Sequence, residues 1–131
     1  MGSAIRNMLN GSEQTFFIFH KLLSLNEYRN AHYYKLNGIK KDWEYLTSIA
    51  IKTNNISPIK AAEIEFTLLF MDHRRRDLDN YSATIKMIID GIVLSGILPD
   101  DSRRYIKRIS IDSITSKIGE GIQVKLKEIE T

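Results

Sequence analysis

The chain reads as a single α/β (α+β) domain, its elements in the order β-α-β-α-β-β, with a mixed sheet and two helices packed on it. Three observations predict this. Ile64, Phe66, Leu68 and Phe70 alternate with Glu63, Glu65 and Thr67, and Ile122, Val124 and Leu126 alternate in the same way, which is the period of a half-buried strand. Leu36, Ile39, Trp43, Leu46 and Ala50, and again Ile85, Ile88, Ile89 and Ile92, recur at spacings that draw one apolar stripe along a helix. A length of 131 residues is enough to bury one core and too little for two ordinary ones.

In chain order, residues 1–13 read as a flexible lead to the domain, which spans 1–131. Thr15-Phe16-Phe17-Ile18-Phe19 is aromatic and β-branched and too short for a helix, so it is the first strand. Residues 24–32, rich in Asn, Tyr and Arg, are expected to form a loop running into a helix over 33–53. Asn54-Asn55 stops that helix, and Pro58 opens the approach to the second strand, wet on one face and apolar on the other. The basic run begins where this strand ends, and Asp79 or Asn80 is placed to cap the second helix. Gly96 is its expected stop. Pro99-Asp100-Asp101-Ser102 reads as a turn, 105–111 as the third strand, and the segment after Gly119 and Gly121 as the fourth. No internal repeat or low-complexity linker interrupts the order.

Nineteen Lys and Arg against sixteen Asp and Glu give a net charge of +3, so clustering carries more information than the total. Arg74 to Arg76, then Arg103, Arg104, Lys107 and Arg108, gather near acidic pairs as the footprint of a polyanion site would. The chain has no cysteine, which excludes disulfides, zinc–thiolate sites and thiol nucleophiles and suits a reducing cytosol. The longest apolar run, residues 87–98, is broken by Asp90, Gly91, Ser95 and Gly96 and falls short of the roughly 20 residues of a membrane span. Met1-Gly2-Ser3 begins no apolar signal block, and Arg6 stands where a myristoylation motif has Ser or Thr, so a cytoplasmic protein without membrane contact is expected.

The chemistry lies in Arg74-Arg75-Arg76-Asp77-Leu78-Asp79-Asn80 and, after the second helix, Asp100-Asp101. Carboxylate oxygens are the hard ligands Mg2+ prefers, and arginines hold phosphate oxygens by charge-assisted hydrogen bonds. The four acids are expected to converge beyond one edge of the sheet, Asp77 at the end of strand two and Asp79 at the start of the helix. Gathered without a cation they would repel, and at least one would have to take up a proton. A divalent ion removes that conflict, polarises a phosphoryl oxygen and lowers the pKa of bound water. Asp79, Ala83, Lys86 and Asp90 share one helix face, so Lys86 is directed towards the acids and can offset charge on a scissile phosphate.

Each part also has a plain structural account. Asp at a strand–helix junction is usually a cap, Asp after Pro is turn chemistry, and an arginine triplet is often a solvated face. Their conjunction is what points to a metal-dependent phosphodiesterase. Asp90 is read as an ion pair to Lys86 at the favourable spacing of four. An EF-hand is excluded, because Ser82 stands where that loop needs glycine and Ile88 where it needs glutamate. His20, His32 and His73 lack ligand spacing and are not candidates, although His73 adjoins the basic run. Tyr28, Tyr33 and Tyr34, among Arg29, Lys35, Lys40 and Lys41, suit either base stacking or core packing.

Taken together, the run from Arg74 to Asn80, Lys86, Asp90, Gly96 and Asp100-Asp101 resembles the signature of the RusA family of Holliday junction resolvases. Ser24-Leu25-Asn26-Glu27-Tyr28-Arg29-Asn30 also resembles the amino-terminal loop of phage-type members. The resemblance implies a homodimeric, Mg2+-dependent endonuclease, with Mn2+ able to substitute, that nicks opposing strands of four-way DNA junctions in recombination and repair, in a bacterial or phage-infected cell. It implies metal ligation by Asp77, Asp79 and Asp101, with Asp100 sharing or replacing the last, and a functional lysine at Lys86. It implies a functional asparagine at Asn80 and no small-molecule cofactor; with Asn80, the clustered Arg74, Arg75, Arg76, Arg103 and Arg104 are the expected nucleic-acid contacts. The lysine match needs about three extra residues between Asn80 and Lys86, nearly one helical turn. A dimer suits a two-fold junction with two equivalent scissile phosphates, and binding is expected to weaken with salt by about 0.9 in log–log slope per phosphate neutralised. Two other readings are a DNA-binding module without catalysis and a less selective nuclease acting on flaps or RNA.

Overall fold

In a computed structural model that describes residues 12–129, the elements are β1 (Glu13–Phe19), α1 (Leu25–Asn30), α2 (Tyr33–Thr53), β2 (Ala62–Phe70), a 3₁₀ turn (Leu78–Tyr81), α3 (Ser82–Leu94), β3 (Ile106–Thr115) and β4 (Gly121–Glu128). The four strands form one mixed sheet in the order β1-β4-β2-β3. β4 is antiparallel to both its neighbours, whereas β2 and β3 are parallel. The expected α/β (α+β) architecture is the one observed. Most of the lead at 1–13 lies outside the described residues, but its last two belong to the fold: Glu13 opens β1, and the Ser12 carbonyl accepts from Glu128 N at 2.8 Å.

The core forms where the apolar rows of the sheet meet the helix stripes. Phe16, Ile64, Phe66, Leu68, Ile122 and Val124 are fully buried with Trp43, Ile88 and Ile92, while Phe17 and Phe19 point outward from β1. Removing apolar surface from water at about 25 cal/mol per Å² makes this layer the main stabilising contribution. β2 sits inside the sheet and is the most buried strand, while β3 at the edge is largely exposed and carries Lys107 and Arg108, charges that discourage edge-to-edge pairing.

Two elements differ from the sequence reading. Residues 24–32 are a short helix and a junction rather than a loop, because Ser24 and Glu27 form a reciprocal capping box and His32 Nδ1 then accepts from Tyr34 N to start α2. The second helix is not capped by Asp79 or Asn80. The 3₁₀ turn feeds directly into it, and Tyr81 occupies the cap position without a side-chain bond. At its other end Gly96 (φ +78°) donates to Val93 O and Ile97 to Ile92 O, a Schellman closure that requires the left-handed backbone glycine tolerates. Among the described residues no helix is long and apolar enough to cross a membrane.

Candidate functional site

β1, β2 and β3 run in the same sense, so their carboxyl ends and the loops that follow, 20–24, 71–77 and 116–120, share one end of the sheet. Open α/β sheets bind ligands outside the carboxyl ends of their strands, and the central motif lies here. Asp77 is not at the end of β2 as expected: the strand stops at Phe70, and Asp77 lies beyond a loop at the head of the 3₁₀ turn.

That loop is organised by Asp72, a residue the motif reading passed over. Arg76 donates to its two oxygens from Nη1 at 2.6 Å and Nη2 at 3.2 Å, and Arg74 donates from its backbone N at 3.0 Å and from Nε at 3.2 Å. The Arg76 guanidinium also lies 4.1 Å from the centre of the Phe70 ring. The hydrogen bond from Arg76, then that from the Arg74 backbone, holds the Asp72 carboxyl well below the usual carboxylate range, and Asp72 raises Arg76 in turn. The three arginines are therefore not equivalent. Arg76 is only 15 % exposed and is committed to the loop, whereas the Arg75 side chain is 94 % exposed and faces Asp77 across 4.0 Å. Beside them a cleft of about 310 Å³ is lined by His73, Arg74, Arg75, Ser113 and Thr115. His73 Nδ1 and Thr115 Oγ1 are 3.2 Å apart at its wall.

The Asp77 and Asp79 side chains do no capping. Asp77 stands at the cap position of the 3₁₀ turn with no side-chain cap bond, and both residues are exposed. Asn80 is half-buried, its backbone N–H donating to Asp77 O at 3.1 Å. The ordinary structural use of an Asp before a helix thus leaves these carboxylates unaccounted for.

The second acidic pair divides its roles. Asp100 Oδ1 accepts from Asp101 N at 2.7 Å and shapes the turn, while the Asp101 carboxylate reaches the ammonium of Lys86, which also donates to Asp90 Oδ1 at 2.8 Å. Lys86 is raised by Asp101 first and Asp90 second, and Asp101 is lowered chiefly by Lys86. The expected Lys86–Asp90 ion pair is present, with Asp101 as its third member.

The four acids do not meet as one group. β3 is parallel to β2, so the loop 95–105 begins at the opposite end of the sheet from the loop 71–77. Asp101 reaches back only as far as Lys86, seven residues along the chain from Asp79, or about 10 Å at helical rise. The oxygen donors suit Mg2+, but among the described residues no three His, Asp or Glu side chains are arranged to hold an ion. The same geometry divides the basic residues. Exposed Arg103 and Arg104 precede β3 near its amino end, away from the cleft of Arg74 and Arg75, so they do not form one continuous wall. Comparison with protein-family models found no match, and comparison with curated proteins found none.

Proposed function

We propose that the chain is a Mg2+-dependent endonuclease that resolves four-way DNA junctions, working as a homodimer in the cytoplasm, as its resemblance to the RusA resolvases implies. The reading is carried by Asp77 and Asp79: two exposed carboxylates on one tight turn, free of any capping role, beside an arginine-lined cleft at the carboxyl ends of parallel strands. Asp77 and Asp79 are the residues that would hold the ion, which when bound would supply Lewis acidity and a water of lowered pKa; Asp101, which the resemblance adds to them, is paired with Lys86 in a single chain. Arg75, and Arg74 in part, grip the phosphate, because Arg76 is already spent on Asp72. Lys86, raised above its ordinary value, stays an ammonium across the neutral range. It cannot act as a general base there; its part is to neutralise Asp101 and to offset charge that builds on the phosphate.

The test is Asp77→Asn and Asp79→Asn assayed for junction binding and for Mg2+-dependent nicking. Binding should survive while nicking falls by a factor of a hundred or more. A wild-type chain that never nicks under any divalent ion, at any concentration tested, would defeat the proposal. One observation favours a second reading, a DNA-binding module without catalysis: a single chain does not gather three acidic ligands among its described residues. Under that reading wild type binds junctions and never cleaves. Comparing junction, flap, duplex and RNA substrates at fixed salt separates a junction resolvase from a less selective nuclease.

A further inference from the structure

A second cavity is lined by residues that follow β1, whereas the arginine cleft is lined by the end of β3 and the loop after β2. It measures about 450 Å³ and is bounded by residues 20–23, α1 and α2. Residues 20–23 continue from the carboxyl end of β1, and α1 packs against both the 3₁₀ turn and α3, so the cavity opens at the same end of the sheet as Asp77 and Asp79. Its size falls in the range of sites that enclose small organic ligands, about 300–1,000 Å³.

The lining is chemically divided. Leu22, Leu23 and Trp43 are buried at its base. Trp43 carries an Nε1–H that is buried without a hydrogen-bond partner among the described residues, and its ring meets His20 edge-on at 5.1 Å. The rim is polar. Asn26 and Asn30, one helical turn apart on α1, present exposed carboxamides, the group that pairs with adenine in two hydrogen bonds. Lys35 is exposed beside them, and Lys21 is held only loosely by Glu27 at 3.8 Å. An apolar base, two amides and lysines at the mouth, with Glu27 beside Lys21, suit a nucleobase attached to a phosphate.

We propose that this cavity binds a purine nucleotide, the base over Leu22, Leu23 and Trp43, its edge read by Asn26 and Asn30, and its phosphate held by Lys35 and Lys21. Where the nucleotide belongs to a DNA strand, the inference rests on the junction-cleaving reading: an unpaired base at a branch enters here while a phosphate crosses the acidic turn. The same chemistry would hold a free nucleotide.

The experiment uses the full chain with methyl-labelled Leu and Ile, followed by NMR, with the fluorescence of Trp43, the chain's only tryptophan, as a second signal. The probes are AMP and a four-way junction carrying 2-aminopurine at its branch point. Methyls of Leu22, Leu23 and Ile39 should shift saturably, and Asn30→Ala combined with Lys35→Ala, both exposed positions, should weaken binding about tenfold or more. A response to AMP alone identifies the source as free nucleotide, and a response to the junction alone identifies it as DNA; either supports the site. If neither probe moves these methyls, or if the double variant binds as tightly as wild type, the site is overturned. Asp79→Asn keeps this binding if the cavity is independent of the acids, so methyl shifts in a chain that never nicks would uphold the cavity and refute the nuclease, while nicking without shifts would do the reverse.

Discussion

Thr84→Val isolates the hydrogen bonds that tie Leu23, at the base of the second cavity, to α3. Thr84 is fully buried in α3, and its hydroxyl accepts from Leu23 N at 3.2 Å and donates to Leu23 O at 2.9 Å. Valine matches the shape and removes both bonds, leaving a buried N–H and a buried C=O of the segment leading into α1 without partners. Each orphaned group costs about 1–3 kcal/mol, so a loss of about 2–4 kcal/mol is expected from a domain whose total stability is of the order of 5–15 kcal/mol. With a urea m-value of about 2 kcal/mol/M, the middle of the usual range, the denaturation midpoint should fall by about 1–2 M at unchanged m. Thr84→Ser keeps the hydroxyl and loses one methyl, worth about 0.8 kcal/mol, and the Leu23 amide should exchange faster in the valine variant alone. If valine leaves stability within about 0.5 kcal/mol of wild type, or if serine is as damaging as valine, the hydrogen bonds are not what holds the segment and the reasoning fails.

Lys86→Gln should reduce nicking about a hundred- to a thousandfold if its charge acts on the reacting phosphate, while its helical pair with Asp90 accounts for only about 0.3–0.5 kcal/mol of stability; unchanged single-turnover rates would assign Lys86 to structure alone. Asp72, depressed by Arg76 and Arg74, should remain ionised below the ordinary aspartate midpoint of about 3.9. Its contribution to stability is therefore full above that pH and is lost only as pH falls through its lower folded value; a carboxyl carbon NMR titration with an ordinary midpoint would show that the clamp on Arg76 is absent in solution. Gly121→Ala would set a Cβ 2.2 Å from the Ile18 carbonyl oxygen, backbone that cannot step aside. β1 and β4 would have to part, costing about 1–3 kcal/mol or more, and an unchanged melting temperature would contradict the close strand approach.

Some of the site was legible in the residues and some was not. Asp77, Asp79, Lys86 and Asp101 were visible as charged types at suggestive spacings, and the Lys86–Asp90 pair followed from helical geometry alone. Asp72 was overlooked although Asp72, Arg74 and Arg76 stand two residues apart in turn, because nothing local says that the chain doubles back to close a bidentate pair. The capping box of Ser24 and Glu27 was present in the sequence as Ser-x-x-Glu, and a reading centred on Asn, Tyr and Arg composition passed over it. Gly96 was recognised as a stop because a left-handed residue after a helix is a local requirement.

By itself the sequence determined the order of strands and helices, the faces they bury and the charges available for chemistry, since alternation and helical stripes depend on neighbours a few residues apart. Only the tertiary structure decided which charges meet. The parallel alignment of β2 and β3 sends the loops carrying Asp77 and Asp101 to opposite ends of the sheet, and the fold of loop 95–105 brings Asp101 to Lys86 rather than to Asp79. Strand direction and order are fixed by packing between segments far apart in the chain, and that packing leaves no periodic trace in the residues it brings together.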